Sequence, residues 1–178
     1  MCQRHETQLV KVVFCTAVPK DDHDKRDRHN TFNAVQTARG VTVLKGHHVI
    51  DPSTGLRSEK QSDINVALSV VLDAHDGLYD YAYLLSADSD QAATARVFRD
   101  RFPNLKLCSV APPNRPVSEK VASYADDSFV LNKPQIETCV MPQYVRGKTG
   151  HMIRRPDAYA TPEGWVHPDN RPRRKNST

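Results

Sequence analysis

The chemistry in this chain is densest at Ser86-Ala87-Asp88-Ser89-Asp90. Two carboxylates and two hydroxyls follow directly on the apolar run YDYAYLL, which reads as a strand. The next segment, QAATARVFRDRFPN (91–104), predicts a helix stopped at Pro103, so its first N–H groups point back at the acidic turn. One carboxylate is enough to cap such a helix, and the second is surplus to that task. A third acid, Asp63, stands at the start of SDINVALSVVLDAHDG (62–77), where Ile64, Ala67, Leu68, Val71 and Ala74 form an apolar stripe and Ser62 or Asp63 is the expected cap. Crowded carboxylates repel one another, and protonation or a bound cation relieves them. Hard oxygen ligands suit Mg²⁺ or Mn²⁺, which activate water and neutralise charge on a phosphodiester. Aspartates at strand ends are also turn formers, and on residue pattern alone the structural and metal roles weigh about equally.

The elements that must position these acids read as strands alternating with helices. LVKVVFCTAV (9–18) and VTVLKG (41–46) are β-branched strand runs; between them lie the charged run KDDHDKRDRHN, a loop or exposed helix start, and the helical TFNAVQTARG (31–40). HHVIDPSTGLRSEK (47–60) carries turn residues and reads as an irregular hairpin. After the acidic turn and its helix come a strand at 105–113, a short helix at 117–127 and a last strand at 128–133. Such alternation predicts an α/β fold, a mostly parallel sheet with helices on both faces in three α/β/α layers. Ligands in such sheets sit beyond the carboxyl ends of the strands, which is where the acidic turn falls.

The segment from EKQSDINVALSVVLDAHDG through LLSADSDQAATARVF to LKLCSVAPP resembles the NYN domain family of PIN-like nucleases. In that family a Lys precedes by three residues an Asp at a helix start, and the following strand ends in Ser-x-Asp-Ser-Asp. Here those are Lys60, Asp63 and Ser86 through Asp90. VVFCTAVP and GVTVLKGHHV resemble the family's second and third strands, and YADDSFVLNK its closing helix-to-strand segment, so the likeness spans roughly residues 9 to 133. It implies a PIN-like, Rossmann-like fold that cleaves RNA, with Mg²⁺ or Mn²⁺ on Asp63, Asp88 and Asp90 around an attacking water. Lys60, and with it Asn65, Ser86 and Ser89, would face the substrate or orient the site. Ser86 and Ser89 are by default turn formers. The family's first strand, which ends in another Asp, has no counterpart here, so the expectation is an N-terminally truncated fold. A second copy or a partner chain would then cover the gap. Asp126 or Asp127 could supply a further acid. The alternative is a degenerate NYN module that binds RNA or a protein without cutting. A phosphatase with an aspartate nucleophile fits less well, because Asp88-Ser89-Asp90 lies late in the chain and continues as Gln91-Ala92.

Composition narrows the classes. The chain has 178 residues, 38% of them hydrophobic, and a net charge of +4. Residues 1–143 hold 17 basic and 18 acidic side chains, while 144–178 hold 8 and 3, so the excess positive charge lies in a Pro-containing segment ending RPRRKNST. The expectation is a domain over 1–143 and a partly extended basic tail over 144–178, with Tyr159 and Trp165 packed back on the domain. Such a tail attracts phosphate charge or simply stays solvated. Cys2, Cys15, Cys108 and Cys139 form no C-x-x-C pair, which points away from a structural zinc and towards a reducing, cytoplasmic setting. No apolar run is long enough for a membrane span. No Gly-rich phosphate loop is present, and the aromatic residues are not interleaved with basic ones. Lys120 is a second candidate cation for the substrate. His47-His48 and the Arg26/Arg28 run read as surface residues.

Overall fold

The structure, a computed structural model, describes residues 5–19 and 22–172. Strand β1 (Val13–Ala17) leads to helix α1 (His23–Ala38) and strand β2 (Thr42–Ile50), which pairs parallel to β1 from Val13↔Thr42 to Ala17↔Gly46. β2 then turns back into β3 (Arg57–Lys60), so the irregular hairpin is a regular antiparallel one. Its turn is built on Asp51, whose carboxylate accepts from the N–H and the hydroxyl of Ser53. Helix α2 (Ser62–His75), strand β4 (Tyr81–Leu85), a 3₁₀ turn (Ser89–Gln91), helix α3 (Ala92–Arg101) and strand β5 (Lys106–Ala111) follow. A short helix α4 (Glu119–Ala122) and strand β6 (Asp127–Val130) close the second set, in which β4, β5 and β6 are all parallel.

The fold is α/β, as the alternation predicts. The expected single sheet is instead two three-stranded sheets, β1-β2-β3 and β4-β5-β6. Among the described residues no strand joins β1 to β4, so both are edges of their own ladders. Helix α2 connects the halves. It packs on β1 and β2, and its Val66, Val70 and Ala74 reach the core beneath β4. That core is Leu84, Ala95, Phe98, Leu107 and Val121, all nearly inaccessible to water.

Side chains alternate across a strand, so β1 has two different faces. Phe14 meets Phe32 of α1 on one, and Cys15 lies towards Asp63 of α2 on the other. Helices thus cover both faces of the first sheet. On the second sheet α2, α3 and α4 cover one face. Tyr81 and Tyr83, on the opposite face, stack with His5, whose ring nitrogens meet the Tyr83 hydroxyl at 2.8 Å and the Asp127 carboxylate at 2.9 Å. An N-terminal segment, not a helix, forms that layer.

The charged run before the apolar periodicity is the start of the helix: α1 begins at His23, where the Asp22 side chain accepts from the Lys25 N–H and caps a charged, solvated first half. Two further expectations are corrected. Neither Ser62 nor Asp63 caps α2. Gln61 holds that place in the left-handed region at φ 76°, with no side-chain cap, while the Ser62 hydroxyl donates to Glu59. The basic segment is not a loose tail over its described part. After α5 (Lys133–Glu137), strands β7 (Tyr144–Arg146) and β8 (Met152–Arg154) form a hairpin against α1 with Val145 buried, and Tyr159 packs edge-on to Phe32. That Tyr159 contact is the one expected from sequence; Trp165, half-buried, meets His167 edge-on. Most of RPRRKNST, residues 173–178, lies outside the described residues, as does Cys2.

Candidate functional site at the rim of the parallel strands

Asp63 sits in the first turn of α2, and Asp88 and Asp90 sit where β4 leaves the sheet. Parallel pairing of β4 with β5 sends both strands out on the same edge, and Ser86 continues the ladder by donating its N–H to the Val110 carbonyl at 3.0 Å. Beyond it the chain makes a tight acidic turn. The Asp88 N–H donates to the Ser86 hydroxyl at 3.1 Å, and the Asp90 N–H donates to the Asp88 carboxylate at 2.9 Å. Asp88 therefore caps the 3₁₀ turn leading into α3, the role sequence gave one of the pair. Ser86 acts as a turn former and Ser89 begins the 3₁₀ turn.

The turn and the start of α2 meet through Gln91. Its residue is 3% exposed, its side-chain nitrogen lies 3.4 Å from the Asp63 carbonyl and 3.3 Å from the Asp63 carboxylate, and its oxygen accepts from the Thr94 hydroxyl at 2.9 Å. Gln91 is the residue that sequence reasoning undervalued. Its signal is an uncharged amide directly after an acidic pair, at the position that opens the helix. Asp63 also touches the first sheet electrostatically. Burial pushes the Cys15 thiol above its ordinary pKa, and the nearby Asp63 carboxylate pushes it the same way.

The other expected residues divide. Lys60, in β3 opposite His47, is exposed and lies three residues ahead of Asp63. Asn65 is partly buried, and its backbone carbonyl accepts from the Ser69 hydroxyl. The orienting contact to Asp63 comes from Gln91. Lys120 is exposed on α4. Asp126 and Asp127 are corrected as additional ligands, because they stand at the start of β6, the opposite end of the parallel strands from Asp88. There Asp126 accepts from the Leu107 N–H at 3.0 Å, from Lys106 at 3.0 Å and from Arg99 at 2.7 Å. The Arg26 guanidinium meets His23, in keeping with a solvated face. His47 meets Gln61 at 3.1 Å, whereas His48 keeps a buried ring nitrogen without a partner.

A divalent ion of the Mg²⁺ type needs several oxygens converging on one point. Asp63, Asp88 and Asp90 are the right donors in kind, all exposed, and two are drawn to one rim by Gln91 and the turn. Among the described residues no three His, Cys, Asp or Glu side chains gather in a metal-holding cluster. One oxygen of Asp63 faces Gln91 and one oxygen of Asp88 accepts from the Asp90 N–H, so each carboxylate keeps a second oxygen to offer an ion. Each such hydrogen bond is worth about 1 kcal/mol net, little against the pull of a doubly charged ion on two carboxylates.

No family profile matches this chain, and no curated protein matches it. Among solved structures, it is similar to the crystal structure of a protein of unknown function from Vibrio parahaemolyticus, with a TM-score of 0.52 and 21% identity. The match covers 73% of this chain and 75% of the other. A likeness at that identity speaks to the α/β fold alone. Among the described residues no helix is long and apolar enough to cross a membrane.

Proposed function

We propose that this protein is a metal-dependent RNA-cleaving nuclease of the NYN, PIN-like type, with Asp63, Asp88 and Asp90 as its metal-holding and catalytic acids. The observation that carries the reading is the bridge from Gln91 to Asp63, which draws the start of α2 to the acidic turn at the carboxyl ends of the strands. A bound Mg²⁺ or Mn²⁺ would supply an activated water and charge neutralisation at a phosphodiester. The chain's own residues bind and orient. Gln91 holds the Asp63 carboxylate in place, the Ser86 hydroxyl and the Asp88 carboxylate fix the turn, and exposed Lys60 offers a cation to RNA phosphate.

Labelled RNA incubated with Mn²⁺ and purified protein tests this directly, beside Asp63→Asn and Asp88→Asn. The expected outcome is cleavage by the native chain and a loss of about a hundredfold or more in each variant, since such groups act in the transition state. Equal cleavage by all three would mean a contaminant and would remove the proposal.

A second reading, a non-cutting module that binds RNA or a protein partner, is favoured by the absence of a converged acidic trio among the described residues. It expects Mn²⁺ to leave the melting temperature unchanged, whereas a bound ion raises it by mass action. The open edges of β1 and β4 support a second copy or a partner chain as the cover.

A further inference from the structure

Asn33 on α1 is 5% exposed, and its side-chain nitrogen has no hydrogen-bond partner. Burying an amide donor without a partner is unfavourable, and native structures seldom keep one unless something else meets it. Asn33 lines two open grooves, one on each side of it. One, of about 510 Å³, is walled by Phe14, Phe32, Met141 and Tyr159. Its rings meet edge-on, Phe14 to Phe32 at 5.8 Å and Phe32 to Tyr159 at 6.1 Å between centroids, so they do not stack face to face on one another. The other, of about 520 Å³, is lined by Lys45, Lys148, Thr149 and His151. Neither lysine makes an ion pair or hydrogen bond among the described residues. Both grooves are open to solvent, share Asn33 and have the volume of small-molecule sites.

We propose that these two grooves, joined at Asn33, form one nucleotide-binding site. The base lies among Phe14, Phe32 and Tyr159 with its polar edge on the Asn33 amide, and the phosphate reaches Lys45 and Lys148. Aromatic side chains accept any base by its face. A carboxamide matches the donor and acceptor edge of adenine, which makes adenine the preferred base. The ammonium groups serve phosphate as point charges. The site is built from β1, β2, α1 and the segment after α5, away from Asp63, Asp88 and Asp90, and it does not rest on the nuclease reading. A free nucleotide and a nucleotide within an RNA strand share this chemistry.

Calorimetric titration of the full chain in EDTA tests the site with adenosine, AMP, inorganic phosphate and a short adenylate tetranucleotide. AMP is expected to saturate about tenfold more tightly than adenosine, from its two phosphate contacts. Lys45→Ala combined with Lys148→Ala erases that advantage and leaves adenosine binding unchanged. Tyr159→Ala, outside the regular core, weakens both ligands by about tenfold through lost stacking. Asn33→Leu weakens both similarly and keeps the melting temperature, since it removes a donor that had no partner. A tetranucleotide tighter than AMP assigns an RNA strand as the source, and equal affinity assigns a free nucleotide. No saturable binding of adenosine, AMP or the tetranucleotide overturns the site, and so does AMP binding that Tyr159→Ala leaves untouched. Because every titration is metal-free, this failure and a failure of RNA cleavage are separate results.

Discussion

Around Phe98, itself 1% exposed, Leu84, Ala95, Leu107 and Val121 close with almost no access for water. Around Phe32, in the other half, Phe14 and Tyr159 approach only edge-on, a cavity of about 510 Å³ remains, and Asn33 keeps an unpaired donor. Both halves are built on parallel strands with a helix crossing over them. They differ in how their interior is closed. In the second half three helices bring apolar residues to one face of β4, β5 and β6. In the first half one face of β1 and β2 is closed by α1 together with distant pieces of the C-terminal region, whose short strands and turns bring few large apolar side chains. Packing supplies stability in one half and leaves room for a ligand in the other.

The sharpest way to break this contrast is a matched pair of truncations. Phe98→Ala is expected to cost about 3–5 kcal/mol, as large buried aromatics do, and Phe32→Ala less than half of that, because its site is already open. Urea unfolding measures both, and equal losses would abolish the distinction. Next in size, Gly46→Ala is expected to destabilise by about 1–3 kcal/mol. A Cβ there would run into the Lys60 carbonyl and the Ser62 hydroxyl, where β3 passes into α2. The same change displaces the lead-in to Asp63, so RNA cleavage should fall further than stability does, as turnover at saturating Mn²⁺ would reveal.

Gln91→Glu places a carboxylate beside Asp63 in a nearly inaccessible position. It should lower stability by about 1–2 kcal/mol in EDTA, from an unfavourable like-charge contact and a lost donor. Added Mn²⁺ should restore part of that loss if the rim accepts an ion, which a thermal melt with and without the metal reads out. The smallest expected effect concerns Asp126. Partial burial works against its charge, but the Leu107 N–H, Lys106 and Arg99 together outweigh it and hold its carboxyl below the ordinary value. A depressed native pKa gives stability that is present above the unfolded value of about 4 and fades as pH falls through the native one. Asp126→Asn should therefore cost about 1 kcal/mol at neutral pH and nothing at the acid end, a flatter pH profile in denaturant midpoints.

What could be read from sequence follows the same division. The second half is local in its signals. The stripe in 62–77, the run YAYLL and the helix before Pro103 each declare their type within a short window, and SADSD falls at a strand end by simple succession. The extent of α1 is left undecided by sequence, loop or exposed helix start, because His23–Asn30 has no apolar stripe and is held by a cap and solvated charge. The β7–β8 hairpin was hidden because three-residue strands carry almost no alternation. Asp126 and Asp127 read as possible ligands because sequence order does not say which end of a strand a residue occupies until the pairing is known. The aromatic groove is legible only in part. That Tyr159 packs back on the domain is expected from sequence, but its partners Phe32 and Phe14 lie more than a hundred residues earlier, and nothing in the spacing names them.

Helix α2 touches β1 and β2 with one side and the interior beneath β4 with another. No backbone ladder joins the two sheets among the described residues, so this helix acts as a keel between two planks. Whether the molecule melts in one step or two is then decided along its length. With the keel whole, loss of either plank exposes the other. A proline at Val66 would split it, and the tightly closed half should then outlast its neighbour on heating, as a second, hotter transition.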